Sequence, residues 1–170
     1  IGMLAAADEK SLVKQLSRAR SMAERSFSSA EIYLERQLTN PRHIEVQILA
    51  DMKGEICHLF ERDCSIQRRN QKIIEEARAP NIQPDKLAEL LQDVTAAIGS
   101  IGYDNIGTVE MLRSDDDRFS FLEMNTRLQV EHGVTEALTG IDIVKAQIRL
   151  ASGMSLASVL PDSPQPEGHA

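Results

Sequence analysis

Tryptophan is absent, aromatic residues make up only 4% of the chain, and there are just two cysteines, Cys57 and Cys64. The two thiols form no CxxC pair and have no histidine array at zinc spacing beside them. That excludes a disulfide framework and a structural zinc site, and it fits a reducing, cytoplasmic setting. No apolar run approaches the roughly 18 to 20 residues that span a bilayer, and no basic start precedes an apolar stretch, so nothing points to a membrane or to secretion. Cations are the scarcer charge: 19 Lys and Arg stand against 26 Asp and Glu, a formal net charge of -7. Affinity for a phosphate backbone comes from clustered Lys and Arg, so non-specific nucleic-acid binding is not expected, although an acidic chain can still hold a local basic pocket.

What is present suits one globular unit: 170 residues at 42% hydrophobic content fill a single sizeable core. From Asp8 to about Phe27, Leu12, Val13, Leu16, Ala19, Met22 and Ala23 recur at helical spacing and predict an amphipathic surface helix. Two strands are expected next, at about Glu31 to Gln37 and His43 to Ala50. In the second, Ile44, Val46 and Ile48 alternate with Glu45 and Gln47, which predicts one buried and one wet face. Asp51-Met52-Lys53-Gly54 supplies a turn into a further strand from Glu55 to about Phe60. Glu61 to Pro80, dense in charge and amides, reads as a functional loop. A second helix starts near Pro84, with Leu87, Leu90, Leu91, Val94 and Ile98 as its stripe. Strands from Asn105 to Leu112 and from Phe119 to Asn125 flank an Asp-rich turn, and short helices follow at about Glu131 to Leu138 and Ile141 to Ala151. The tail from Pro161, with three prolines, reads as a linker. Helices alternating with antiparallel hairpins predict an α+β fold.

The second hairpin carries the most chemistry. Glu110 and Glu123 lie equally far from a turn centred between Asp116 and Asp117, so they face each other, and strand alternation puts Asn125 on the same face. Like charges directly opposite are destabilising. The face is therefore either wet or neutralised by a cation, and carboxylates with an amide oxygen suit Mg²⁺ or Mn²⁺ better than zinc. On the pairing alone the two readings stand level. Thr126 to His132 then pack a guanidinium, an amide, a carboxylate and an imidazole into the strand exit, which points to phosphoryl or carboxyl chemistry.

Three segments, Asn40 to Gln47, Glu61 to Lys72 and Glu123 to His132, resemble the signature segments of biotin carboxylases in their order along the chain. The resemblance implies an ATP-grasp fold, an antiparallel sheet with flanking helices, incomplete at both ends. Residues 1–160 would be the central part of that domain and 161–170 a linker into a C-terminal subdomain. It further implies that MgATP phosphorylates bicarbonate and that the resulting carboxyphosphate yields CO₂ to the ureido nitrogen of biotin. Glu35, Arg36 and Leu38 would line the adenine pocket and His43 would contact the ribose. Gln67, Asn70 and Lys72 would lie near ribose and phosphates, with Lys72 reaching toward the transferred group. Glu110 and Glu123 would hold magnesium, supported by Asn125. Arg127, Gln129, the backbone of Val130 and Lys72 would bind bicarbonate, and Glu131 would be the general base, with Arg127 and Lys72 beside it in the catalytic set. Partners so implied are a biotin carboxyl carrier protein, a carboxyltransferase and a second copy of the same polypeptide.

Two positions depart from the family pattern: Asn70, where many members have histidine, and Gly133, where many have proline. The segment lacks the family's N-terminal subdomain, most of its glycine-rich loop and its C-terminal subdomain, so the isolated chain is expected to fold but not to turn over. Competing readings are another ATP-grasp ligase of the carbamoyl-phosphate synthetase type, and a non-catalytic nucleotide-binding module. Taken without the resemblance, Arg68 and Arg69 read as a solvated basic patch, Glu61, Arg62 and Asp63 as surface ion pairs, and Cys64 as a packing residue.

Overall fold

The computed structural model describes residues 2–161 and 164–170 and divides into two compact units, Ile1–Thr39 and Asn40–Ala170. In the first unit, helix α1 (Glu9–Phe27) begins at a reciprocal cap: Asp8 Oδ1 accepts from Ser11 N at 2.7 Å and Asp8 N donates to Ser11 Oγ at 3.1 Å. Its apolar stripe is at most half-buried, and Val13 is exposed. The strand expected at Glu31 to Gln37 does not form. That stretch is irregular and largely exposed, since β-favouring residues alone cannot hold a strand without a pairing partner.

The second unit is built on β1 (Arg42–Ala50), β2 (Ile56–Arg68), β3 (Gln71–Glu76), β4 (Asn105–Arg113) and β5 (Phe119–Asn125), in the order β3-β2-β1-β4-β5 with every pair antiparallel. Helices α2 (Pro84–Ser100), α3 (His132–Thr139), α4 (Ile143–Ala151) and α5 (Leu156–Val159) complete it, giving the α+β layers expected. The tail donates from Glu167 N to Leu138 O at 2.8 Å, and Ala170 exchanges two backbone bonds with Ala77.

Central strand β1 is covered on both faces, which corrects the expected wet side. Ile44, Val46 and Ile48 pack with Val109 and Met111 against Leu90, Leu91, Val94 and Ile98 of α2. On the opposite face Leu49, with Leu59 and Ile106, packs against Ile141, Ile143, Ala146 and Leu150. Glu45 and Gln47, which share that second face, are wholly buried. A pattern of alternating polarity predicts water only when the polar side chains have no protein partners, and these two have them.

The expected loop from Glu61 to Pro80 is mostly sheet. Strand β2 runs on to Arg68, and Arg69 and Asn70, with φ of 54° and 64°, form a two-residue connection to β3. Positive φ at both central residues is the type I′ hairpin geometry, which asparagine tolerates well. A bulge between Val46 and Ile48 shifts the β1–β2 register by one residue, with Phe60 in the left-handed region at φ 63°. Phe60 packs on the α2 side, as does Glu61, whose Oε1 accepts from Ala79 N at 3.1 Å, and Arg62 points to the other face. A bulge thus reverses the facing of everything beyond it. Buried there, the Glu61 carboxyl has its pKa pushed up by desolvation.

In the β4–β5 hairpin Glu110 does pair with Glu123. The turn is centred on Asp116, since Arg113 faces Phe119, and a bulge between Glu110 and Met111 brings Glu123 opposite Glu110.

Asp51 fastens the β1–β2 turn to α5: Oδ1 accepts from Lys53 N (2.9 Å) and Glu55 N (3.1 Å), and Oδ2 from Leu156 N (2.9 Å). Burial pushes its pKa up, but the bonds from Leu156, Lys53 and Glu55 and the Lys53 charge outweigh it and hold the carboxyl below its ordinary value. A depressed folded pKa contributes stability that is complete above the ordinary carboxylate range and is lost as pH falls through the folded value. Asp51→Asn should therefore lower stability by on the order of 1 kcal/mol at pH 7. Urea midpoints of the variant should fall less steeply on acidification than those of the parent; an unchanged acid slope would mean that the Asp51 charge contributes nothing to the turn.

Candidate active site

The second face of the sheet gathers charge where β1, β3, β4 and the start of α3 meet. Lys72 on β3 extends its ammonium between three carboxylates, 2.5 Å from Glu45 Oε2, 2.9 Å from Glu110 Oε1 and 2.5 Å from Glu131 Oε1. An ammonium has three N–H donors, so all are taken. Burial alone would lower the Lys72 pKa; the charge of Glu45 and the bonds to Glu110, Glu131 and Glu45 outweigh it and raise the value well above that of a free lysine. Burial likewise pushes Glu110 up, but donors on His43, Lys72 and Gln129 hold it down at about 2. Glu131 also lies below its ordinary value, because the bond from Lys72 prevails over desolvation. Lys72, Glu110 and Glu131 are therefore all ionised at neutral pH.

Beneath this cluster Arg62 of β2 is completely buried. Its Nε donates to Glu45 Oε1 at 2.5 Å, one terminal nitrogen to Gln47 Oε1 at 2.9 Å and Thr135 Oγ1 at 2.8 Å, and the other to Thr108 Oγ1 at 3.4 Å. The surface ion pair expected of Glu61, Arg62 and Asp63 is thereby corrected: all three are buried. Asp63 instead accepts from Arg42 Nε at 2.6 Å and from Ser65 Oγ at 2.6 Å, while Ser65 Oγ accepts from His43 N at 2.9 Å.

Around the rim, Glu110 Oε1 also accepts from Asn125 Nδ2 at 3.0 Å and Gln129 Nε2 at 2.8 Å, and His43 Nε2 lies 2.9 Å from Glu110 Oε2. Gln129 is buried with Oε1 unpartnered. Arg127 is exposed, with one nitrogen 3.4 Å from Asn125 Oδ1, and the Val130 side chain faces outward. Glu123 is exposed, and among the described residues its side chain makes no hydrogen bond or ion pair.

His43, Lys72, Glu110, Asn125, Gln129 and Glu131 thus come together in one constellation, with Arg127 linked to its edge through Asn125. Gln67 faces Lys72 across the β2–β3 hairpin with its amide donating to Cys64 O at 2.8 Å, and Asn70 stands at the exposed hairpin tip. Glu35, Arg36 and Leu38 belong to the first compact unit, on irregular backbone. Sequence reasoning missed Glu45, Arg62, Gln47, Thr108 and Thr135. Cys64 is buried, and desolvation followed by the Glu45 charge raises its pKa, which keeps the thiol protonated and fits a packing residue.

Three carboxylates against two cations, Arg62 and Lys72, leave one negative charge in surplus; Glu123 opposite Glu110 adds a second, which Arg127 at the edge offsets. The surplus negative charge of Glu110 and Glu123 suits a hard divalent ion, with Asn125 turning its amide nitrogen to Glu110 and its oxygen to Arg127. Beside it, an ammonium, a guanidinium and an ionised carboxylate can hold an oxyanion and accept a proton.

Comparison with known proteins gives the family of the chain. Residues 1–159 match the family model described as carbamoyl-phosphate synthase L chain, ATP binding domain. Biotin carboxylase 2 of Bacillus subtilis is 45% identical over 170 residues, 100% of this chain and 38% of the relative. The biotin carboxylase complex with beta-gamma-ATP from Campylobacter jejuni superposes with a TM-score of 0.89 at 42% identity, over 99% of this chain and 37% of that one. The biotin carboxylase domain of Hydrogenobacter thermophilus 2-oxoglutarate carboxylase, in complex with MgADP, ADP and bicarbonate, gives a TM-score of 0.88 at 42% identity, over 99% and 37%. The chain spans between 13% and 38% of the length of the curated relatives it matches. Matched along nearly all of its own length and sharing an ATP-grasp sheet with these enzymes, the chain belongs to the family of the carbamoyl-phosphate synthase L chain ATP-binding domain, beside the biotin carboxylases within it.

Proposed function

We infer that this chain is the segment of a biotin carboxylase that handles the metal, the phosphates and bicarbonate. The observation that carries the reading is the Lys72 ammonium shared among Glu45, Glu110 and Glu131, with Gln129 and Arg127 at its rim. Glu110, Glu123 and Asn125 would hold Mg²⁺, or Mn²⁺ in its place, which supplies charge neutralisation to the nucleotide phosphates. His43, Gln67 and Asn70 would meet the ribose and phosphates, and Glu35, Arg36 and Leu38 the adenine. Arg127, Gln129, the Val130 backbone and Lys72 would grip bicarbonate.

Glu131 then takes the bicarbonate proton while a bicarbonate oxygen attacks the γ-phosphorus of ATP, releasing ADP and forming carboxyphosphate. Loss of phosphate from carboxyphosphate gives CO₂; the ureido nitrogen of biotin yields its proton to the released phosphate and forms the new bond to the CO₂ carbon. A Lys72 donor drawn from Glu131 to the incoming anion raises the proton affinity of Glu131, which is what a base requires. Bicarbonate binding itself thereby prepares the base. The biotin would arrive on a carboxyl carrier protein and pass to a carboxyltransferase, with two copies of the intact polypeptide paired, in the cytoplasm, where the free thiols of Cys57 and Cys64 persist.

The test is biotin-stimulated, bicarbonate-dependent ATP hydrolysis by the intact polypeptide that carries this segment; no response to either small molecule would overturn the reading. The family model's own description favours a second reading, a carbamoyl-phosphate synthetase-like ligase, for which ammonia or glutamine rather than biotin would stimulate the same hydrolysis. Glu123→Gln should abolish the magnesium dependence of ATP binding in titrations of the intact polypeptide. Binding indifferent to that change would favour a nucleotide module without catalysis.

A further inference from the structure

Arg62 touches neither rim nor solvent, yet all of its donor nitrogens are engaged by buried side chains. Its donors reach Glu45 and Gln47 on β1, Thr108 on β4 and Thr135 on α3. Glu45, also wholly buried, divides its two oxygens: Oε1 takes Arg62 Nε and Oε2 takes Lys72 Nζ, both at 2.5 Å. A carboxylate is rigid and planar, so pinning one oxygen fixes where the other can stand. Lysine, by contrast, carries a point charge on a flexible four-carbon stem and takes its direction from its acceptors. Glu110 and Glu131, its other acceptors, are both at the rim side of the cluster, where substrates would draw on them. Glu45 is the acceptor fixed from behind.

We propose that Arg62 is a positioning residue which, acting through Glu45, fixes the direction in which Lys72 presents its ammonium to Glu131 and to the bound anion. It is not a catalytic residue, since none of its donors faces the rim. The proposal rests on the function inferred above for the part that concerns the anion, but the geometry of Lys72 is open to test without any substrate. Only a guanidinium has donors enough, in a fixed planar fork, to hold Glu45, Gln47, Thr108 and Thr135 together, so lysine at position 62 cannot substitute.

A purely structural role is the rival: Arg62 bonds Thr135 and so fastens α3, which follows Glu131 directly. The two separate in the proton-exchange rate of the Lys72 ammonium, read from side-chain ¹H–¹⁵N spectra of the 170-residue chain without ligand. Arg62→Met should speed that exchange about 10-fold or more although the two side chains do not touch, because Glu45 is released. Arg62→Lys gives the same reading should the methionine variant fail to fold. Glu45→Gln should do likewise, and adding the Arg62 substitution to Glu45→Gln should bring no further acceleration, as expected of residues acting in series. Thr135→Val, which frees α3 and spares Glu45, should leave the rate unchanged.

Unchanged exchange in both Arg62 variants, additive effects in the double variant, or equal acceleration by Thr135→Val would each overturn the proposal. In the intact enzyme Arg62→Lys should raise KM for bicarbonate about 10-fold with KM for ATP unchanged. Should the exchange results hold in a protein that shows no response to bicarbonate at all, the functional reading fails and the positioning of Lys72 stands.

Discussion

Glu131→Gln in the intact polypeptide should reduce bicarbonate-dependent ATP hydrolysis by about 10²- to 10⁴-fold, the usual worth of a positioned general base. Glutamine keeps the length and nearly the shape of the side chain, and its amide oxygen can still accept from Lys72, which now lies 2.5 Å from Glu131 Oε1. What it loses is the capacity to take a proton. Nucleotide contacts assigned to other residues stay in place, so affinity for MgATP should be little changed and the loss should appear in kcat. Glu131→Asp provides the complement: it keeps the charge but withdraws it by one methylene, so part of the activity should survive, with its pH profile displaced. Rates are to be measured with bicarbonate varied at saturating ATP. A glutamine variant retaining more than about a tenth of the parent rate would place the base elsewhere and leave Glu131 as a partner that only steadies Lys72.

Much of this architecture could be read from residue order alone. Helix α2 was legible because Pro84 at its start and Leu87, Leu90, Leu91, Val94 and Ile98 along its stripe are local signals, and the structure buries most of that stripe. The Glu110 and Glu123 pairing was legible from the β4–β5 turn. It came out right because the half-residue error in the turn centre was compensated by the bulge beside Glu110.

The same counting fails on β1 and β2. Working outward from Ala50 opposite Ile56 pairs Glu45 with Glu61, a repulsive arrangement, whereas the bulge makes the partner Arg62. One inserted residue therefore hid the most buried ion pair among the described residues. A bulge leaves no periodic trace in the sequence, and hydrophobic patterning does not distinguish a charge meant for water from one meant for another charge. For the same reason β3 was missed. Ile66, Ile73 and Ile74 are exposed on the β2–β3 hairpin, so the apolar residues there do not mark a buried face. The family resemblance named most of the rim residues, yet Glu45 and Arg62, lying inside two of the three signature-like segments, became part of the site only through burial and distance.

Loss of Arg62 should be the most damaging single change to stability. Arg62→Met is expected to cost about 3 to 5 kcal/mol, because it leaves Glu45 ionised, fully buried and paired on one oxygen only, while Gln47, Thr108 and Thr135 lose their shared donor. A domain of this size is stable by about 5 to 15 kcal/mol, so the variant should sit near the edge of folding at physiological temperature. The penalty comes from the abandoned charge more than from the broken bond, and this separates it from an ordinary cavity effect. Removing the charge as well, in Glu45→Gln with Arg62→Met, should restore a substantial part of the lost stability, since two neutral groups in the same space have far less desolvation to repay. Urea unfolding of the single and double variants decides the matter. A double variant as unstable as the sum of its parts would mean that Arg62 holds the fold through α3 and β4 rather than by neutralising Glu45, and that the buried pair contributes position to Lys72 without contributing stability to the sheet.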